Sequence, residues 1–224
     1  KEDPLDTSKG KQVNISFDDG VSLESLYDNL DIFETYNAKI TYYVSNINLV
    51  LNSPEKLEGI ISAGHEIGVH GYNHFPAEDY VEDYGMEQWL SEEVLQTIQI
   101  LDSLGIQATT YAYPHGSRTN ETDLSLEMYF DRIRAFNVGY DDIIPTNDDY
   151  LIDAYSIDSH IIDLNQIYCS FDNLKDGETI FLATHLILDN DSEEGQWYIL
   201  RSNLQSILEY GESLGINFIT VTES

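Results

Sequence analysis

An α/β fold whose parallel strands close into a barrel is what this sequence predicts, on three observations. Apolar runs of strand length alternate with amphipathic helical patterns nearly throughout, the sign of repeated βα units. The 224 residues, 42% of them hydrophobic, suffice for one sizeable core, and nothing reads as a flexible internal linker. Asp18-Asp19-Gly20 and His70-Gly71-Tyr72-Asn73-His74 each follow such an apolar run directly, at the strand-to-loop junctions where α/β folds build their sites.

Val13 to Phe17 reads as the first strand and Leu23 to Tyr36 as the helix after it. Thr41 to Val44 and Pro54 to Ala63 repeat the unit, with Gly64 placed as a helix cap. Glu66 to His70 is the third strand, and its period of two puts Glu66, Gly68 and His70 on one face, Ile67 and Val69 on the other. Glu87 to Leu104 is the clearest amphipathic helix: Trp89, Leu90, Val94, Leu95, Ile98, Leu101 and Leu104 recur at helical spacing, and Gly105 follows. Thr109 to Tyr113 is the next strand and Asp123 to Phe136 the next helix. Shorter β signals near Val138 and Leu151 precede a helix over Leu164 to Leu174, a strand over Thr179 to Thr184, a helix over Tyr198 to Leu214 and a last strand near Phe218. The polar opening, residues 1–10, reads as a tether to a single domain over 11–224.

Charge narrows the function. Asp and Glu number 41 against 10 Lys and Arg, a formal charge of −31, which disfavours nucleic acid, anionic lipid and polyanionic substrates as partners. The single cysteine, Cys169, cannot form an intramolecular disulfide and reads as a buried small apolar residue. No run has the length of a transmembrane helix, and the chain opens at Lys1. An exported protein, periplasmic, cell-surface or extracellular, whose signal or anchor has been removed would carry such a start. The acidic stretch 189–195 lacks the glycine and glutamate positions of an EF-hand loop, so it is read as an acidic loop.

Asp-Asp-Gly alone is an ordinary turn, and two histidines four apart are often unrelated. Together they are a candidate metal site, because one carboxylate and two imidazoles form the three-ligand set of a catalytic zinc with a position left for water. The second aspartate is then free to take that water's proton. His65-Glu66 does not begin a His-Glu-x-x-His helix, since the spacing to His70 is wrong and the run reads as a strand.

These residues resemble the polysaccharide deacetylases with a NodB-homology domain, the carbohydrate esterase family 4 type. The matching stretches are Ile15-Ser16-Phe17-Asp18-Asp19-Gly20, Gly64 to His74, Tyr111-Ala112-Tyr113-Pro114-His115-Gly116 and Thr179 to His185, in family order along almost the whole chain. The resemblance implies an incomplete, distorted (β/α) barrel with its site at the carboxyl ends of the strands. It implies Asp18 as catalytic base, and Asp19, His70 and His74 as ligands of one divalent metal, zinc first and cobalt, nickel or manganese as alternatives. It implies His185 as general acid and the His115 backbone N–H as oxyanion donor. Asp158, in Ser156-Ile157-Asp158-Ser159, is a candidate to orient His185, and Tyr72, Tyr113 and Trp197 are candidate sugar-stacking rings.

Two departures from the family pattern stand out. The arginine that commonly bonds the base, two residues before the Pro114 position, is Ala112 here, so Asp18 is expected to lack that partner unless Arg118 reaches back. Gly71 follows His70 where a bracing Ser or Thr is common. The implied activity is removal of N- or O-acetyl groups from an acetylated sugar or polysaccharide. The alternatives are a catalytically impaired glycan-binding protein on the same fold and a small-molecule amidohydrolase.

Overall fold

The structure, a computed structural model, describes residues 6–136, 143–146, 150–191 and 197–224. Seven parallel strands follow one another around a barrel: β1 (Gln12–Asp18), β2 (Thr41–Val44), β3 (Glu66–Val69), β4 (Thr110–Ala112), β5 (Arg132–Phe136), β6 (Leu151–Ser156) and β7 (Thr179–Thr184). β1 and β7 close the ring, in register from Gln12 beside Thr179 to Phe17 beside Thr184. The ring is distorted, for β3 meets β4 at the single register pair Val69 and Tyr111, while β6 and β7 share two. A separate parallel pair, β8 (Leu186–Leu188) and β9 (Tyr198–Leu200), lies beyond β7, and β10 (Asn217–Phe218) joins the base of β1. Among the described residues no helix is long and apolar enough to cross a membrane.

Strand parity builds two interiors. Val13, Ile15 and Phe17 of β1 are fully buried in the large core beneath the outer helices, with Ile67 and Val69 of β3 beside them in the same layer. The alternate positions face the barrel axis, where Tyr43, Ala112, Ile152, Ala154, Phe181, Ala183 and Val221 form a second cluster. Gly68 has to be small there, because a Cβ would fall 2.4 Å from the Tyr43 ring. Glu66 sits on the same face, its carboxylate accepting from the hydroxyls of Thr41, Thr110 and Thr222. The face expected from the β3 pattern is therefore the one that carries His70 inward.

The largest departure from the sequence reading lies in Asp123 to Phe136. The helix there is only Asn120–Leu126, started by a capping box between Thr119 and Thr122, and the chain then becomes β5. Ile133 faces the outer core while Arg134, fully buried, faces the axis, so in the alternating run Arg132-Ile133-Arg134-Ala135 a charged position that reads as solvent-facing belongs to the interior. Other differences are smaller, among them Cys169, which lies on the outer face of the helix Leu164–Asn173 and is exposed, not buried. The helix expected over Leu23 to Tyr36 breaks at Asn29 into Leu23–Asp28 and Leu30–Thr35. The first residues of the helix expected over Tyr198 to Leu214 form β9, leaving Arg201–Ser213. The long amphipathic helix runs from Met86 to Ser103 with a π-helical stretch at Leu90–Leu95. The β signal at Val138, residues 1–5 of the opening stretch and 192–195 of the acidic loop lie outside the described residues.

Candidate active site and metal centre

The carboxyl ends of β1, β3, β4, β6 and β7 deliver their following residues to one cavity of about 450 Å³. Asp19 ends β1 in a left-handed turn at φ 74°, its N–H donating to Tyr43 O and its Oδ1 accepting from Ser45 Oγ at 2.9 Å. The same Oδ1 lies 3.2 Å from His74 Nε2 and 3.8 Å from His70 Nε2, and the two imidazole nitrogens are 3.2 Å apart. Ligands held at zinc's bond lengths in a tetrahedron stand about 3.3 Å from one another, so this triangle fits a tetrahedral ion.

The histidine tautomer suits the same reading. His70 Nδ1 is 2.8 Å from Ala112 O, so Nδ1 carries the proton as a donor and Nε2 keeps its lone pair toward Asp19 and His74. Burial pushes the His70 pKa well below the usual imidazole value against the opposing charge of Asp19. His74 is lowered as well, burial again outweighing Asp19. Neutral imidazoles are the form that ligates a metal.

Asp18, the last residue of β1, is fully buried. Its Oδ2 accepts from Arg134 NH2 at 2.5 Å, and its Oδ1, also buried, accepts from no donor among the described residues. This cation is Arg134, whereas the sequence pattern points to no cation beside Asp18 or to Arg118. Arg118 instead pairs with Asp123, five residues along. Arg134 is the direct register partner of Ala112, so the cation stands one strand over from the expected position. Its guanidinium lies over the rings of Tyr43 at 5.0 Å and Phe136 at 4.6 Å, which fixes its plane.

His185 follows β7, with Nδ1 3.2 Å from Asp158 Oδ2. Asp158 is itself fixed by Ser156 Oγ at 2.8 Å and Thr184 Oγ1 at 2.9 Å. Burial lowers the His185 pKa, but the hydrogen bond and charge of Asp158, with the charges of Asp18 and Asp19, more than offset it, and the net shift is upward.

His115 adopts φ 57° after Pro114; its ring packs against that of His74 with centroids 4.5 Å apart, and its N–H donates to no acceptor among the described residues. Trp197, half exposed, lines the cavity with its ring 5.8 Å from His185. The other two aromatic candidates lie elsewhere. Tyr113 is fully buried, stacked on Trp89 with its hydroxyl donating to Asp123 Oδ1 at 2.9 Å. Since Ala112 faces the barrel axis, Tyr113 has to face the outer core. Tyr72 is half-buried against the core, its hydroxyl accepting from Asn48 Nδ2, and does not line the cavity.

The sequence pattern of the polysaccharide deacetylases matches residues 6–129 of this chain, more than half of it. Among curated proteins no sequence matches. Among solved structures, the peptidoglycan deacetylase PdaC from Bacillus subtilis is similar at a TM-score of 0.62 and 18% identity, over 98% of this chain and 91% of that one. A CE4 esterase from Streptococcus mutans is similar at 0.64 and 18%, over 96% and 87%. BA3943 from Bacillus anthracis, described as a CE4 family pseudoenzyme, is similar at 0.63 and 14%, over 95% and 64%. At these identities the likeness to solved structures is one of fold.

Proposed function

The chain belongs to the polysaccharide deacetylase family, and we propose that it is a metal-dependent hydrolase that removes acetyl groups from an acetylated glycan. The observation that carries the metal dependence is the triangle of Asp19 Oδ1, His70 Nε2 and His74 Nε2, the one group among the described residues with metal-ligand geometry. When bound there, a divalent ion, zinc by its donor set, supplies Lewis-acid polarisation of the acetyl carbonyl and acidifies water.

Asp18 acts as general base. Arg134 holds the carboxylate through Oδ2, the oxygen that also stands 3.8 Å from His70 Nε2 and so lies toward the ligand triangle, where it would accept the water proton. The His115 N–H, held in a fixed left-handed backbone, is the donor toward the oxygen that gains charge as water adds to the carbonyl. His185 holds its Nδ1–H on Asp158 and offers the opposite ring nitrogen to the departing sugar nitrogen or oxygen, which it protonates as the C–N or C–O bond breaks. Trp197 at the rim gives the sugar an apolar face. The excess of carboxylates suits a neutral or amine-bearing glycan over a polyanion, and a glycan of the cell envelope or outside it implies an exported protein.

Acetate release from acetylated chito-oligosaccharides, peptidoglycan and acetylated xylan, with and without chelator, tests this reading. Chelator-sensitive release from one of them is expected. Release that is indifferent to chelator and to His70→Ala would overturn the metal dependence, and no release from any of them would overturn the substrate class.

A further inference from the structure

We infer that Glu93 is a positioning residue that holds His74 in its ligating pose by gripping the backbone on both sides of it; this rests on the reading of Asp19, His70 and His74 as metal ligands. Glu93 lies in the π-helical stretch Leu90–Leu95, is fully buried, and stands 20 residues from the loop it touches. Its Oε2 accepts from the Asn73 N–H at 3.0 Å and from the Phe75 N–H at 3.4 Å, and its Oε1 accepts from Asn73 Nδ2 at 2.7 Å. These amides flank His74 in the chain.

His74 needs such a grip. Its backbone is left-handed at φ 67°, a strained conformation for a side-chain-bearing residue that persists only where the surroundings over-determine it. Gly71, at φ 75°, contributes no side chain to the loop, and a Cβ there would come within 3.0 Å of Glu93 Oε2. The carboxylate thus fills the space from which a side chain at 71 would brace the turn.

The helix pays attention to the same contact. Glu93 and Val94 are consecutive and both fully buried, an inward pair that the wider π turn accommodates. Among the described residues Glu93 joins no ion pair, so N–H donors alone compensate its carboxylate. A buried acid so arranged is costly unless the donors are held in place. It fixes the loop as firmly as the loop fixes it.

The test is zinc affinity, measured by chelator competition, together with the visible spectrum of the cobalt-substituted protein, for Glu93→Ala, Glu93→Gln and Asn73→Ala. Loss of a group that orients a ligand typically costs about 10- to 100-fold in metal affinity. We expect that loss in Glu93→Ala and an altered cobalt spectrum. Glu93→Gln, whose amide nitrogen faces the loop's own donors, should lose about 10-fold or more. Asn73→Ala should lose less. If Glu93→Ala does not fold, Glu93→Gln, nearly equal in volume, and Asn73→Ala, at an exposed position, decide the matter. Folded variants with native zinc affinity and cobalt spectrum would overturn the role of Glu93 alone. A native chain that binds neither metal would overturn the ligand reading, and this role with it.

Discussion

Arg134 donates to Asp18 Oδ2 at 2.5 Å from the position on β5 that is paired in register with Ala112 on β4. Both charged residues are fully buried, and the guanidinium is flanked by two aromatic rings. Neighbouring register partners project to the same face of a sheet, so an arginine at either position reaches the same carboxylate. The cation beside Asp18 comes from β5, one strand across from position 112, where the family resemblance leads one to expect it.

Removing one member of a buried ion pair leaves an uncompensated charge, so Arg134→Ala should destabilise the fold by about 3–5 kcal/mol in urea titration and abolish most turnover. Arg118→Ala, whose partner is Asp123 at a partly exposed site, should cost about 1 kcal/mol or less. Ala112→Arg alone overfills a fully buried position, whereas Ala112→Arg combined with Arg134→Ala should regain part of the lost activity. Full activity of Arg134→Ala would contradict the pairing's importance.

The two aspartates should separate in function. Asp18→Asn is expected to lower kcat by about 10²- to 10⁴-fold with zinc still bound, because it removes the base and leaves the ligand triangle. Asp19→Asn should instead weaken zinc binding, read by metal analysis after dialysis. Equal zinc loss in both variants would refute that division.

What could be read from the sequence was what is local. Asp18-Asp19 and His70 to His74 lie at the ends of short strands, so their spacing alone carried the site, and the structure brings them together with His185 and Asp158 in one cavity. Arg134 was hidden for two reasons: its partner is 116 residues away, and an arginine in so short a run reads as a solvated residue although this one is fully buried. Tyr113 misled because its motif sits beside the site while parity turns its ring into the outer core. Glu93 resembled any acidic residue on an amphipathic helix until the π turn showed it facing inward.

The pH profile should report Asp158. With the His185 pKa raised above 6.5, the acid form of His185 persists to higher pH, and the basic limb of kcat/KM lies correspondingly higher. Asp158→Asn removes a hydrogen bond and a charge that both raise the value, so the basic limb should move to lower pH. A limb that stays in place, with fold and zinc content intact, would show that His185 is not the group titrating.

Trp197→Ala should raise KM for an oligosaccharide with little change in kcat, since the half-exposed ring lines the cavity while Asp158, not Trp197, holds His185 in place. Tyr113→Phe should leave KM unchanged and lower stability by about 1 kcal/mol through the lost bond to Asp123.

The most direct measurement is a titration of the metal-stripped chain with zinc, following acetate release from an acetylated glucosamine oligomer. Release should rise linearly and level off at about one zinc per chain, with His70→Ala and His74→Ala showing no such break because each lacks one of three protein ligands. Full acetate release by the stripped chain, or an unchanged titration in either histidine variant, would contradict the metal dependence.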